Sequence, residues 1–223
     1  MMQAKAPSIL FSEMAPGPDF EDKFHRWYDE EHIPVRMACP GFASAQRYAR
    51  EDGKGYLAVY EMANLGVMSS PAYKVVKEQP SELTAWMLKN VSGFTRYLCD
   101  ETFERSQPGA FDPIDAPVLY AVSFTVPKEA EGEFDAWYER EHIPMLMACP
   151  DWLMVRRMRV ADGVPEPYTH LALHYLADSR ALASPEREKA RQTEWRARLA
   201  ANDWFKANYA VFRRHGPRQL GRG

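Results

Sequence analysis

The sequence predicts an α+β fold built as two βαββαβ repeats of ferredoxin-like type, packed sheet to sheet with their helices outside. Two observations carry this. First, a sixteen-residue stretch ending Trp27-Tyr-Asp-Glu-Glu-His-Ile-Pro-Val-Arg-Met-Ala-Cys-Pro40 returns at a constant offset of 110 as Trp137-Tyr-Glu-Arg-Glu-His-Ile-Pro-Met-Leu-Met-Ala-Cys-Pro150. An internal repeat of half the chain length means two similar structural units. Second, each half reads strand, helix, strand, strand, helix, strand, the split βαβ frame. One such sheet has helices on a single face, so its other apolar face needs a partner, and the other half is the natural one.

The elements follow in order. Ser8 to Met14 is a short apolar strand ended by Pro16-Gly-Pro18. Asp19 offers an N-cap, and Glu21 and Asp22 suit the first turn of a helix. On that helix Phe24, Trp27 and Glu31 share one face, and His25, Tyr28 and His32 the adjoining one. Pro34 disfavours helical geometry at Ile33, so the helix is expected to end near His32. Phe42–Tyr48 and Tyr56–Met62 form a hairpin across Asp52-Gly-Lys-Gly55. Ser69-Ser-Pro71 opens a second helix to about Asn90, and Gly93–Cys99 is the fourth strand. In the second half the strands are 118–126, 152–160, 168–176 and 208–213, with helices at 129–142 and from Ser184-Pro185. The expected division is a first repeat over 1–105, a Pro- and Gly-rich linker over 106–117, a second repeat over 118–215, and a mobile tail over 216–223.

Composition narrows the function classes. The 223 residues are 46% apolar and 26% charged, with net charge −3. That is the balance of an ordinary globular protein and argues against nucleic acid or an anionic membrane as partner. No signal peptide and no apolar run of membrane length is present. Cys39, Cys99 and Cys149 make no disulfide framework, and the paired Ala-Cys-Pro sites read as packing. Cytoplasm is the expected compartment.

The Trp-Tyr-x-x-Glu-His-Ile-Pro stretch after a first strand, in a βαββαβ frame, resembles the EthD-like branch of the dimeric α+β barrel superfamily. The resemblance covers both halves and implies an intramolecular dimeric α+β barrel, the fused form of a dimer. A further homodimer of this pseudo-dimer is compatible with it. Related barrels include cofactor-free cyclases and dehydratases, isomerases, small monooxygenases and haem-containing branches, so the resemblance implies a fold strongly and a reaction weakly.

The candidate catalytic residues are His142, His32, Tyr138, Tyr28 and His174. A helix C-terminus favours imidazolium and burial opposes it, which leaves the repeated histidines plausible acid–base groups. The competing reading makes His-Ile-Pro a helix-stop device, with the histidine bonded to a carbonyl. Arg47 and Arg157 hold matching places in the second strand. They could bind a substrate anion, although an ion pair with Glu31 or Glu141 is favoured. Tyr56 and Tyr60 correspond to His170 and His174 at an offset of 114. Period-two alternation puts each set on one sheet face, so Tyr60 and His170 join the candidate substrate-binding residues. Trp27 and Trp137 supply flat apolar walls for a small aromatic or polyketide-like ligand. No metal-ligand spacing, nucleotide loop or nucleophile elbow occurs, so no metal and no redox cofactor is expected.

The leading expectation is a cofactor-independent lyase or isomerase working by His/Tyr acid–base catalysis. The first alternative is a monooxygenase of phenolic compounds, cofactor-free or with haem on a histidine. The second is a binding or stress-response protein without turnover. Asp135 beside the second motif, against His25 beside the first, together with His170 and His174 in the second half alone, leads to the expectation that His142 matters more than His32.

Overall fold

A computed structural model describes residues 4–109, 112–165 and 167–222. Met1–Gln3, Ala110 and Phe111 of the expected linker, Glu166, and Gly223 of the expected tail lie outside the described residues. The first repeat runs β1 (Ser8–Met14), α1 (Glu21–Trp27), a π-helical turn (Tyr28–His32), α2 (Ile33–Met37), β2 (Phe42–Arg50), β3 (Tyr56–Met62), α3 (Pro71–Glu78), α4 (Glu82–Asn90) and β4 (Arg96–Ser106). The second runs β5 (Val118–Phe124), α5 (Glu131–Trp137), a π-helical turn (Tyr138–His142), α6 (Ile143–Leu146), β6 (Trp152–Val164), β7 (His170–Leu176), α7 (Pro185–Arg191), α8 (Glu194–Ala200) and β8 (Asn208–Leu220). The expected βαββαβ order is present twice.

Two compact units form, and their limits differ from the repeats. The first holds residues 1–100, 161–165 and 215–223, and the second 101–160 and 166–214. In the first unit β1 lies antiparallel between β3 and β4, and β3 also pairs with β2; Leu10, Tyr60 and Ala45 stand side by side. In the second, β5 lies between β7 and β8, and β7 pairs with β6; Tyr120, His174 and Val155 stand side by side. Tyr60 and His174 thus hold the same station, as the offset of 114 requires. The core of each unit lies between sheet and helices. Leu10, Met14, Ala45 and Tyr60 meet Phe24, Trp27 and Ile33 in the first. Val118, Val122, Val155 and Ala172 meet Phe134, Trp137 and Ile143 in the second.

Three local features depart from expectation. The motif helix does not stop at proline. The Ile33 N–H donates to the Tyr28 carbonyl, and Ile143 to Tyr138, each closing a five-residue π turn. The widened turn accommodates a proline that lacks an N–H, and the helix goes on through α2 to Met37. The helix expected over 71–90 is two helices, because Gln79-Pro80 breaks it and the Ser81 hydroxyl caps α4 by accepting from the Thr84 N–H at 3.0 Å.

The segment expected as a mobile tail is also ordered. Strand β8 continues to Leu220. In the first unit the Gly221 N–H donates to the Ala43 carbonyl at 2.8 Å and the Arg222 N–H to Met37 at 2.9 Å. The Gln46 side chain donates to the Gly216 carbonyl at 3.1 Å. These contacts are mostly to backbone, so the segment carries no apolar alternation to betray it. Gly221 packs so closely that an added Cβ would lie 1.9 Å from the Phe42 carbonyl oxygen. Gly221→Ala is therefore expected to lower stability by roughly 1–3 kcal/mol. Urea unfolding measures it, and an unchanged midpoint would contradict this placement of the terminal segment.

Candidate functional site

The repeated motif has a structural task that its sequence conceals. Trp27 Nε1 donates to Thr84 Oγ1 at 2.8 Å, and Thr84 Oγ1 donates to Glu31 at 2.6 Å. The Ser81 hydroxyl also donates to Glu31. Glu31 therefore pins the N-terminus of α4 to the motif helix. In the second unit Thr193 caps α8 and donates to Glu141 at 2.7 Å. Arg196 stands where Thr84 does, and the buried Trp137 Nε1 has no partner among the described residues.

Because Glu31 and Glu141 are taken, Arg47 and Arg157 pair elsewhere. Arg47 donates to Asp29 at 2.9 Å and to His25 Nδ1 at 2.6 Å, and its guanidinium lies over the Tyr28 ring at 4.6 Å. Arg157 donates to Glu139 at 2.6 Å and Asp135 at 2.5 Å, and lies over the Tyr138 ring at 5.0 Å. The ion-pair partners are these carboxylates, not Glu31 and Glu141. Neither arginine lines either of the two cavities described below. Asp135 is occupied by Arg157 and lies 3.6 Å from His170 Nε2. Of the two grounds for preferring His142, the Asp135 carboxylate is thus engaged by Arg157, and the added histidines place His174 but not His170 in its cavity.

The first unit contains a cavity of about 860 Å³. Tyr28, His32 and Tyr60 line it, together with Arg36 and Tyr73 and apolar Leu10, Met14, Val35, Met68 and Val76. His32 is 4% exposed, packs on the Trp27 ring at 4.1 Å, and its Nδ1 has no hydrogen-bond partner. Burial, then the neighbouring Arg36 and Arg47 charges, hold its pKa well below the ordinary imidazole value. The helix runs on past His32 to Met37, so no helix-end dipole opposes burial, and His32 is neutral at pH 7. Arg36 Nη1 donates to the His32 carbonyl at 2.7 Å, and its guanidinium lies 5.7 Å from the Tyr60 ring centre and 5.9 Å from that of Tyr73. Burial pushes the Tyr28 phenol up to about 12, and raises Tyr60 as well. The cavity thus sets a neutral imidazole, two protonated phenols and the fixed Arg36 cation among apolar side chains, with Lys77, Arg96, Glu31 and Asp162 also in its lining.

The matching place in the second unit is a cavity of about 160 Å³ lined by Tyr138, His142, His174 and Trp137, among others. His174 is committed to its surroundings. Trp152 Nε1 donates to His174 Nδ1 at 3.1 Å, and Tyr138 Oη lies 3.0 Å from His174 Nε2. Tryptophan only donates, so Nδ1 carries no proton and the neutral ring holds its proton on Nε2. His142 stacks on Trp137 at 4.6 Å and 28°. Burial, only partly offset by a hydrogen bond to the Ala190 backbone, lowers its pKa to about 3. His170 is bonded to Thr169 Oγ1 at 2.8 Å and lines neither cavity, and Trp27 lies behind His32 rather than at the cavity surface.

The structure therefore brings Tyr28, His32 and Tyr60 together in one unit and Tyr138, His142 and His174 in the other. Arg36 and Tyr73 were missed. A signal for Arg36 existed, since it is one helical turn beyond His32 and the second repeat has Leu146 there. Ending the helix at Pro34 hid it.

Comparison with known proteins adds the fold family. Residues 117–215 match a family described as a domain of unknown function, DUF4286. No curated protein matches the chain by sequence. Three solved structures are similar along nearly their whole length. An anthrone oxidase-like protein has TM-score 0.69 and 11% identity, covering 99% of this chain and 96% of its own. A candidate monooxygenase from Fusobacterium nucleatum has TM-score 0.60 and 12% identity, covering 98% and 96%. A candidate chlorite dismutase has TM-score 0.56 and 18% identity, covering 94% and 95%. The chain shares the ferredoxin-like α+β fold of these proteins.

Among the described residues no three His, Cys, Asp or Glu side chains gather as a metal would require, and no helix is long and apolar enough to cross a membrane. Haem, which the resemblance read from the sequence raises, does not fit either of the repeated histidines. His142 faces too small a space, and His32 Nδ1 lacks the acceptor that orients a ligating imidazole. No step is derived through it.

Proposed function

We propose that this chain is an enzyme acting on a small planar phenolic or polyketide-like molecule in the cavity of the first unit. In this reading it is an internally duplicated relative of the EthD-like branch. Three buried thiols suit a reducing compartment, the cytoplasm. The observation that carries the proposal is the cavity of about 860 Å³ that sets a buried, neutral His32 beside Arg36, Tyr28 and Tyr60. A neutral imidazole accepts a proton from an activated C–H or a phenol. Its imidazolium is then stabilised by the substrate anion it has just made. Arg36 and the phenols of Tyr28 and Tyr60 hold the developing oxyanion, and the apolar walls exclude water and strengthen those contacts. Elimination, cyclisation or retro-aldol cleavage follows from such an anion, which makes the enzyme a cofactor-independent lyase or isomerase.

A second reading is supported by the names of the similar structures, anthrone oxidase-like and monooxygenase. The same anion can react with dioxygen, turning a ring methylene into a carbonyl and releasing water. Incubation of anthrone-type and hydroxylated polyketide substrates in an oxygen electrode separates the readings. Product formation in strictly anaerobic buffer supports the lyase or isomerase. Consumption of one dioxygen per turnover supports the oxygenase. No turnover of any phenolic compound by either route overturns the proposal in favour of a binding protein.

A further inference from the structure

Three arginines in the second unit make no ion pair among the described residues. Arg187 and Arg191 come from α7 and Arg196 from α8, and all three line the cavity of about 160 Å³. They are close enough that the charges of Arg191 and Arg187 add to burial in lowering the pKa of Arg196. Among the described residues none makes an ion pair. Arg187 Nη1 donates to the Leu182 carbonyl at 2.7 Å and Arg196 Nη1 to the Arg191 carbonyl at 3.2 Å, which leaves most of their N–H groups free. The nearby carboxylate Glu141 is held by Thr193, and Glu188 by Gln192. Like charges gathered without an anion are unfavourable, and a cavity wall is where a bound anion would relieve them.

The rest of the cavity describes that anion. Trp137, Phe205, Tyr120 and Tyr209 make an aromatic wall. His142 faces the space, neutral and with Nδ1 lacking a partner. The volume suits one ring and not a polycycle. We infer that the second-unit cavity is a separate binding site for a small aromatic monocarboxylate, its ring on the aromatic wall and its carboxylate on Arg187, Arg191 and Arg196. The matching stations of α3 and α4 in the first unit hold Tyr73, Lys77 and Thr84, so the arginine cluster belongs to the second unit.

Benzoate is the probe, titrated calorimetrically into Arg36→Leu protein so that the guanidinium facing Tyr60 and Tyr73 in the first cavity is absent. Saturable one-to-one binding is expected, weakened roughly tenfold by adding Arg187→Gln or the solvent-exposed Arg191→Gln. Raised salt should weaken it as well. Circular dichroism of each variant verifies folding, and Arg191→Gln serves if Arg187→Gln does not fold. No saturable binding overturns the assignment. So does benzyl alcohol binding as tightly as benzoate, or inorganic phosphate binding as tightly, or benzoate affinity indifferent to both arginine variants.

Discussion

Lowering the pH from 7.5 to 5.5 is expected to remove most of the folding stability. All six histidines, His25, His32, His142, His170, His174 and His215, have pKa values below the ordinary imidazole value, with burial the first cause in each. For His142 the value is about 3 and for His170 about 4. In the unfolded chain these imidazoles return to about 6.5. As pH falls through 6.5 the unfolded chain takes up protons that the folded one refuses. The stability they contribute is complete above that pH and lost progressively below it, down to the folded pKa values. Each deeply buried histidine then costs up to about 1.4 kcal/mol per pH unit. His32, His142, His170 and His174 together cost roughly 5 kcal/mol per unit, comparable with a domain's whole stability. His25 and His215, more exposed, add less. Glu13, whose carboxyl is raised by burial, acts in the opposite direction at lower pH. Urea midpoints across this range test the account, and a flat profile between pH 7 and 5.5 contradicts it. His170→Tyr, which installs the residue found at the matching Tyr56 station, should reduce the slope.

Replacing Arg36 by Leu, the residue at the matching place in the second repeat, is expected to reduce turnover roughly 10²–10³-fold. Its cation is the one guanidinium among the described residues of the motif helix that lines the large cavity, and it faces Tyr60 and Tyr73. Removing it leaves the phenols of Tyr28 and Tyr60 as the donors beside His32. Leucine is tolerated at this helical position in the second unit, where Leu146 is buried, so folding should survive. A fall in kcat with little change in KM is expected, because the interaction strengthens as charge develops. The pH profile should also show no limb near 6.5 above pH 6, since His32 is already neutral there.

Much of this was legible in the sequence, for identifiable reasons. Strands announce themselves by alternation, and the duplicated motif aligned the halves well enough to place Tyr60 and His174 at one station. Tyr28 with His32, and Tyr138 with His142, were paired by helical spacing. What failed to show were effects that need three dimensions. A π turn cancels the stop signal of Pro34 and carries Arg36 onto the cavity wall. Backbone bonding orders residues beyond Arg213 without leaving an apolar pattern. Glu31 answers a helix cap some fifty residues away, which frees Arg47 to find Asp29 and His25. The arginines of α7 and α8 carry no motif, and only the fold brings them to a cavity.

The most direct test of the first-unit site is a comparison of His32→Gln with His142→Gln on one phenolic substrate, with kcat/KM measured at pH 7.5 for both. The loss should fall on His32→Gln, roughly 10²–10⁴-fold for a lost acid–base group, while His142→Gln retains turnover within a few-fold. A loss confined to His142→Gln, or no loss in either, contradicts the assignment of the chemistry to the first-unit cavity.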